Sequence, residues 1–409
     1  MRIDSYKSQD SLVVVEIRPI NGQGDLSCGV KVATLLQKRN IPLVLATFQE
    51  SMEALEVFNK KKFSIISIDQ VANLNNVALR IIAPFDDLYS LDGMYAVNIR
   101  TLAFFEYGFT PKQLTSPLSE YFTSFSMGFL PRDLGIIIDD NWQTSHRLSK
   151  QPCQERFDSL SEDLKQAASE ILQEPFDPIT THYFLAYSKI YRYQKLFIND
   201  MKKKYATCGK RLVFFVIHNC AMRDLTLKKE ENKQNTYIPC VGLDPDLFRA
   251  LMLLSEECLV TGDQSLGEAI SINKKFHYEV CGHKSKFAEQ LRQQYTMKGD
   301  EVLSCEDDAQ YDASNYRVCF SMNAADKIAN SVEAALKQPQ NYPKWVDLRK
   351  ESAFFDILEK GKCYLITLDQ WIALQIPSEN GSGLSLLPAL QQFKFEVVID
   401  SVFHFLYVS

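Results

Sequence analysis

The feature that most constrains this chain is a repeated alternation of short apolar runs with amphipathic segments of helical period. From residue 11 to residue 85 the apolar runs SLVVVEIRPI, IPLVLAT, FSIISI and VALRIIAPF are interrupted by CGVKVATLLQKRN and QESMEALEVFNKK. Runs that are apolar throughout suit strands buried on both faces of a parallel sheet, and the intervening segments suit crossover helices. The N-terminal half therefore predicts an α/β fold with a parallel sheet.

A second alternation begins at RLVFFVIH, after a stretch over 141–207 that reads as helical and includes FLAYSKIYRYQKLFINDMKKKY. It continues through NTYIPCVGL, DPDLFRALMLLSEE, CLVTG, SLGEAISIN and KFHYEV. Because 409 residues exceed the usual size of one core, two such blocks predict two domains. We expect an N-terminal Rossmann-like domain with a helical bridge over 1–200, a second Rossmann-like domain over 201–345, and a less regular tail over 346–409 that packs on both.

The composition excludes several classes of function. The net charge is −6 and the basic residues are scattered among acids, so no nucleic-acid partner is expected. The ten cysteines include no C-x-x-C pair, which argues against a zinc cage or a redox dithiol. No run is long and apolar enough for a membrane span, and MRIDSYKSQD does not resemble a secretory signal. We expect a cytoplasmic protein, either of the producing bacterium or of a host cell into which it is injected.

The loop NGQGDLSCG follows the first predicted strand. In open parallel sheets, ligands bind beyond the carboxyl ends of the strands, so Gln23, Gly24, Asp25 and Ser27 are candidates for substrate binding. The alternative is that Asp25 or Ser27 only caps the next helix. The loop lacks the dinucleotide fingerprint G-x-G-x-x-G, because Ser27 stands where the third glycine is needed.

The segment TGDQSLGE follows a strand of the second block. Gly262 frees the backbone, and Ser265 with Glu268 is typical of a capping box. The exposed N–H groups and the dipole of such a helix start also favour an anion such as a diphosphate. Capping alone leaves Asp263 and Gln264 at the mouth of the strand without an explanation.

Further candidates lie near these two loops. His283 or Lys284 in GHKSKF could contact the same phosphates, and a solvated helix face is an equal alternative. His218 closes RLVFFVIH and either lines the cleft or makes a structural hydrogen bond. The D-x-D of LDPDLF suits a metal site, but Asp244 is better explained as a helix start. Asp139 could line a cleft, although a solvated strand end is the simpler interpretation.

Two segments resemble glycosyltransferases of the GT-B type: GQGDLSCGVKVATLLQKRN and CLVTGDQSLGEAISINKKFHYE. The resemblance implies two Rossmann-like domains facing across a cleft. It also implies transfer of a hexosyl or deoxyhexosyl group from a nucleotide diphosphate sugar, with no metal and no further cofactor. A distant similarity to bacterial protein-arginine rhamnosyltransferases rests on the GD loop and the TGDQS turn. Those enzymes carry an arginine and two adjacent acids in that turn, whereas this chain has Thr261, Asp263 and Gln264, so neither rhamnose nor arginine is carried over.

The resemblance also implies roles for individual residues. Asp25 would be the general base of an inverting transfer, with retention left open, and Asp263 would contact the donor sugar. The amides up to Leu266, with Ser265, would hold the diphosphate. Glu268 would accept hydrogen bonds from the ribose hydroxyls, and aromatic or apolar residues near Tyr237 to Val241 would sandwich the base. Expected partners are the nucleotide sugar and an acceptor that can be a protein.

Two alternatives stay open at this point. The first is a catalytically silent protein that binds nucleotide sugars, and the second is a sugar-nucleotide epimerase.

Overall fold

The protein is an α/β structure built around two mainly parallel sheets, followed by a small third sheet. The computed structural model describes residues 12–19, 23–74, 76–85, 99–109, 122–217, 235–280, 282–295, 297–298, 302–305, 308–338, 345–347, 363–366, 395–399 and 404–408. Within these ranges no helix combines the length and the apolar character needed to cross a membrane.

The first sheet has six strands in the order β3-β2-β1-β4-β5-β6, and every neighbouring pair is parallel. β1 and β2 are buried at every position, which explains their unbroken apolar sequence. The chain crosses from β1 to β2 and β3 and then returns to the other side of β1, so the strand order reverses between β1 and β4. The elements are β1 Leu12–Glu16, α1 Gln23–Lys38, β2 Leu43–Thr47, α2 Met52–Phe58, β3 Ile65–Ser67, β4 Val77–Phe85, β5 Thr101–Tyr107 and β6 Phe122–Met127.

Three helices lead to the second sheet, which has the order β12-β13-β11-β10-β7-β8-β9. Strands β7 to β11 pair with one another in parallel, whereas β13 pairs in antiparallel fashion with β11 and with the edge strand β12. The strand order reverses between β7 and β10. The elements are α3 Trp142–Ser149, α4 Cys153–Asp158, α5 Glu162–Leu172, β7 Thr181–Tyr187, α6 Tyr191–Lys204, β8 Arg211–Ile217, β9 Asn235–Cys240, α7 Pro245–Leu254, β10 Glu257–Thr261, α8 Gly262–Ile272, β11 Lys275–Glu279, α9 Ser285–Gln294, β12 Met297–Lys298 and β13 Val302–Cys305.

The helical interpretation of 141–207 is wrong for β7. This strand lies in the middle of the second sheet, between β10 and β8. It is apolar on both faces, and a short buried strand cannot be told from a helix by periodicity alone. A domain boundary at residue 200 would therefore cut through α6 and separate β7 from its own sheet.

The last part of the chain is more regular than the sequence suggests. Helix α10 begins at Asp308, inside the acidic segment CEDDAQYD. In the tail, β14 pairs in parallel with β15, and β17 pairs with β15 and β16 in antiparallel fashion. How this tail packs on the rest stays a prediction. The elements are α10 Asp308–Ser321, α11 Ala325–Lys337, β14 Trp345–Asp347, β15 Cys363–Ile366, β16 Phe395–Ile399 and β17 His404–Val408.

The two parallel sheets face each other and share one hydrophobic core. That core contains Val15 and Ile81 from the first sheet together with Val260 from β10 and Leu266 from α8. The predicted architecture of two facing Rossmann-like sheets is confirmed. Helices of the two halves also pack against each other at this boundary, where α1 contacts α8 directly.

Candidate functional site

The first turns of α1 and α8 meet where the carboxyl edges of the two sheets approach each other. A Cβ atom on Gly24 would lie 3.7 Å from Cγ of Gln264. Burial raises the pKa of the Cys28 thiol, and the charges of Asp25 and Asp263 raise it further. Both carboxylates are thus within electrostatic range of the same sulfur, which stays a neutral thiol. The structure brings together the two segments that the sequence singled out.

From Gln23 onward the glycine-rich segment is the start of a helix rather than a loop, because α1 begins at that residue. Gly24 is exposed, and Asp25 and Ser27 are half-buried within the first turns of α1. The prediction that Asp25 or Ser27 caps a helix beginning after them is therefore wrong. Asp25 is instead the acidic residue of the first turn, where the helix dipole favours a negative charge. The side chain of Gln23 lies outside the described residues.

Helix α8 also begins earlier than expected, directly after β10. Gly262 has a φ of +74°, a left-handed conformation that favours glycine, so its predicted backbone role is confirmed. The predicted capping box is wrong, because Ser265 already lies inside the helix. Its hydroxyl donates to the carbonyl of Thr261 and accepts from the Thr261 N–H at 3.2 Å. Within the described residues, the N-cap Thr261 makes no side-chain capping bond, which leaves the first amides of α8 uncapped.

Asp263 holds the two sheets together. Its Oδ2 accepts a hydrogen bond of 2.7 Å from the N–H of Tyr107 at the end of β5, and its Oδ1 accepts one from Lys284. The Lys284 ammonium is almost fully buried and also lies 3.1 Å from Oε2 of Glu106. The ammonium of Lys284, a residue that follows β11, thus bridges the carboxylates of Glu106 in β5 and Asp263 in α8. Asp263 does lie at the mouth of β10, two residues after the strand ends, but both of its carboxylate oxygens are bonded to protein groups.

The charged groups of this bridge shift one another's pKa values. Burial disfavours the Lys284 ammonium, but Asp263 and Glu106 outweigh it and raise the pKa of Lys284. Burial raises the pKa of Asp263, and the Glu106 carboxylate adds to this while Lys284 opposes it. Because the Lys284 ammonium is already bonded to Asp263 and lies beside Glu106, the cluster does not by itself attract phosphate.

A second ionic cluster joins α1 to α8. The Lys31 ammonium lies 3.0 Å from Oε1 of Glu268 and 3.4 Å from Oδ1 of Asp139. Arg249 on α7 binds the other oxygen of Asp139 and donates to Oδ1 of Asn141 at 2.8 Å. Burial raises the pKa of Asp139, but Lys31 and Arg249 outweigh it, and the pKa is lowered. Asp139 is therefore a buried ion-pair partner, which corrects its interpretation as a solvated strand end.

A cavity of about 320 Å³ adjoins this second cluster. It lies between α1, the segment 137–141 and Arg249 of α7. Its charged lining residues are Lys31, Asp139, Asp140 and Arg249, and Leu35 supplies an apolar side. Among the described residues no group of three or more His, Cys, Asp or Glu side chains is arranged to hold a metal ion.

The remaining sequence candidates fall in different places. Tyr237 is buried under α6, where its ring stacks on Phe214 and lies beneath the ammonium of Lys202 at 5.1 Å. Its ring is therefore occupied within the core, whereas Val241 in the same predicted base-binding stretch is 49% exposed, so base binding by this stretch stays a prediction. Leu266 is fully buried in the shared core, and only its backbone could face a ligand. His218 and the side chain of His283 lie outside the described residues.

Sequence reasoning missed Glu106, Lys31 and Arg249. Glu106 is the one charge in the apolar run TLAFFEY, a pattern that marks a polar group at the end of a buried strand. Lys31 and Arg249 lie on amphipathic helices, where a charged residue is normally assigned to the solvent-exposed face. Their partners are far away in the chain, so no local signal identifies them.

Comparison with known proteins gives likenesses in structure alone. No family model matches the sequence, and no curated protein matches it. A glycosyltransferase from Rickettsia africae ESF-5 is 10% identical, with a TM-score of 0.48 over 81% of this chain and 100% of that one. The S. aureus MnaA–UDP co-structure is 12% identical, with a TM-score of 0.47 over 82% and 99% of the two chains.

A putative UDP-N-acetylglucosamine 2-epimerase from Listeria monocytogenes is 11% identical, with a TM-score of 0.46 over 82% of this chain and 99% of that one. At such identities and scores these likenesses do not decide what this chain does. The strand orders of the two sheets establish its architecture independently.

Proposed function

We propose that this protein is a glycosyltransferase that moves a sugar from a nucleotide diphosphate sugar to an acceptor, without a bound metal. The acceptor can be a protein. The observation that carries this proposal is the meeting of two helix starts, one from each sheet, at Gly24 and Gln264. A reaction between a donor and an acceptor needs two binding surfaces that face each other, and the carboxyl edges of two parallel sheets provide them.

Helix α8 would hold the diphosphate of the donor. Its first amides have no side-chain cap within the described residues, and its eleven residues give it a dipole with a positive end there. Ser265 bonds to the backbone of Thr261, so the amides rather than this hydroxyl would contact the phosphates. Positive partial charge at this point stabilises the leaving diphosphate as the glycosidic bond breaks.

Asp25 would act as the general base. It is half-buried in the first turn of α1, next to Gly24, which lies beside Gln264. In an inverting transfer, a carboxylate takes the proton of the acceptor nucleophile while that nucleophile attacks the anomeric carbon. Asp263 has both oxygens bonded to protein groups, so we assign it to holding Lys284 and the end of β5 in place.

Binding of the donor is tested first. The purified protein is heated with UDP-glucose, UDP-N-acetylglucosamine, GDP-mannose or dTDP-rhamnose, and the melting temperature is recorded. A ligand present at about one hundred times its Kd adds about 2.7 kcal/mol to the free energy of unfolding. At least one of these compounds is expected to raise the melting temperature. If none does, the proposed function is wrong.

Catalysis is tested with Asp25→Asn. Loss of a general base lowers kcat by about 100-fold or more, whereas the affinity for the donor stays unchanged. Asp158→Asn is the matched control, because Asp158 is exposed on α4 far from the helix starts. A silent binding protein would show no turnover in the wild type. An epimerase would convert the nucleotide sugar with no acceptor present.

A further inference from the structure

Polar residues lie at the carboxyl ends of three neighbouring strands of the second sheet, β11, β10 and β7. Thr261 ends β10 and is paired with Glu279 at the end of β11, so the two side chains lie on the same face of the sheet. That face is covered by α6, because Leu259, two residues before Thr261, packs in one cluster with Phe197 of α6. Ser188 follows the last residue of β7, on the other side of β10.

Glu279 is fully buried and has one oxygen in use. Its Oε2 accepts hydrogen bonds from the hydroxyl of Ser188 and, at 3.0 Å, from the N–H of Lys189. Its Oε1 has no hydrogen-bond partner among the described residues. No ion pair to Glu279 is found in the same part of the chain. A buried carboxylate oxygen is thus left without a donor.

Gln194 in the first turn of α6 faces the same edge with a second such oxygen. Its Nε2 donates to the carbonyls of Ile217 at 2.8 Å, Ser188 at 3.3 Å and Ala186 at 3.4 Å. Three carbonyls can only accept, so they fix the amide nitrogen on their side and turn Oε1 away. Within the described ranges neither this Oε1 nor Oγ1 of Thr261 has a hydrogen-bond partner.

Buried polar atoms without partners are few in folded proteins, and each one destabilises the fold. Such atoms also occur elsewhere among the described residues, for example on Arg156, Asn273 and Asn315, but three of them, on Gln194, Thr261 and Glu279, lie together at one edge. The edge is the point between β7 and β10 at which the strand order reverses. Ligands of open α/β sheets bind at such a point, so a ligand is the expected source of the missing donors.

The chemistry of the three atoms selects the ligand group. The oxygens of Gln194 and Glu279 only accept hydrogen bonds, and the Glu279 carboxylate repels phosphate. The matching group therefore donates hydrogen bonds and is not an anion. A nucleotide sugar carries no cationic group at neutral pH, so its donors are mainly hydroxyls. Resting on the proposed function, we propose that Gln194, Thr261 and Glu279 form a hydroxyl-binding subsite for the nucleotide sugar. We call these three residues the acceptor row, because their side-chain oxygens would accept hydrogen bonds from the ligand.

Thr261→Val tests the acceptor row with the least disturbance. Valine keeps the shape and the strand preference of threonine and removes only Oγ1, which has no described partner in the ligand-free protein. We expect the melting temperature without ligand to stay the same or rise. We expect the Kd of the tightest binder among the four nucleotide sugars, measured by calorimetry, to rise about fivefold or more. Thr261→Ser restores the hydroxyl and should restore the affinity.

Thr47→Val is the matched control. Thr47 is buried at the end of β2 in the first sheet, and its hydroxyl donates to the carbonyl of Ile17 at 2.8 Å. This variant should lower the melting temperature and leave the Kd unchanged, which is the opposite of the result for Thr261→Val. The two variants together separate a role in binding from a role in folding.

The nucleoside diphosphate without the sugar distinguishes the two sources of hydroxyls. If Thr261→Val weakens its binding as much as that of the nucleotide sugar, the acceptor row contacts the ribose. If only the nucleotide sugar is weakened, the row contacts the transferred sugar. Unchanged affinity for both ligands would mean that the row holds only ordered water, and the subsite is then rejected while the proposed function stands. If the wild type binds none of the four donors, both proposals fail.

Discussion

The Lys31 ammonium lies 3.0 Å from Oε1 of Glu268, and this ion pair connects α1 of the first sheet to α8 of the second. Lys31 also neutralises Asp139, so its removal leaves two largely buried carboxylates with one cation fewer. Breaking a buried ion pair in this way typically costs about 3 kcal/mol. Lys31→Met is therefore expected to lower the free energy of unfolding by about 2 to 3 kcal/mol, as measured by urea denaturation.

Lys38→Met is the control for this prediction, because Lys38 lies on the same helix. The side chain of Lys38 is 48% exposed, and that of its ion-pair partner Asp140 is 54% exposed. An exposed ion pair contributes about 0 to 1 kcal/mol, so this variant should be nearly neutral. If both variants lowered the free energy of unfolding by the same amount, the ion pair between Lys31 and Glu268 would contribute no more than an exposed one.

The sequence predicted most strands of both sheets but misplaced the starts of α1 and α8. Glycine is a poor helix former, so NGQGDLS and TGDQS look like loops. In the structure the residues from Gln23 and from Gly262 onward form the first turns of helices that pack against each other, with Gly24 beside Gln264. Packing between distant segments overrides the local preference, and this is not visible within either segment.

The same limit explains what could be predicted of the site. The sequence identified the two segments that carry Asp25 and Asp263, because glycine and acidic residues after an apolar run are a local signal. It could not show that Asp263 is bonded to Lys284 and to the end of β5, because the latter contact spans 156 residues. It also missed the acceptor row. Thr261 and Glu279 are single polar residues at the ends of apolar strands, and their alignment depends on the register of β10 with β11.

Two glycines of α1 should respond in opposite ways to alanine. Gly24 is exposed, and an added Cβ would make only ordinary contact with Gln264, so Gly24→Ala should stabilise the helix by about 0.5 kcal/mol. At Gly29 an added Cβ would overlap the side chain of Ile17 and lie 3.1 Å from the carbonyl of Ala83. Gly29→Ala should cost about 1 to 3 kcal/mol. Urea denaturation measures both, and a loss in Gly24→Ala would contradict the helical start of α1.

Lys284 should be essential for stability, whereas Lys286 should not. Lys284 is 5% exposed and binds carboxylates of both sheets, Glu106 and Asp263. Lys284→Met leaves these two carboxylates without their shared cation and should cost about 3 to 5 kcal/mol in chemical denaturation. Lys286 is exposed two residues further on, and Lys286→Met should change stability by less than about 0.5 kcal/mol. A small effect of Lys284→Met would mean that the bridge does not hold the sheets together.

The buried Glu257 at the start of β10 should make stability depend on acid pH. It accepts hydrogen bonds from Nζ of Lys204 at 2.6 Å and from the hydroxyl of Tyr205 at 3.1 Å, and Nε2 of His277 lies 3.2 Å away. Burial raises the pKa of Glu257, but the bonds and charges of His277 and Lys204 outweigh it and lower the pKa to about 2. The folded protein thus binds this proton more weakly than the unfolded chain does.

A carboxylate with a lowered pKa stabilises the fold above its unfolded pKa of about 4.5, and this contribution is lost as the pH falls towards 2. Glu257→Gln should therefore be less stable than the wild type by about 2 to 3 kcal/mol at pH 7, and the difference should shrink to less than about 1 kcal/mol near pH 2. Urea denaturation of both proteins across this range measures the difference. Glu162→Gln is the control, because the side chain of Glu162 is 88% exposed and should give no such trend. A difference between Glu257→Gln and the wild type that is the same at pH 7 and pH 2 would show that the loss comes from packing rather than from the charge of Glu257.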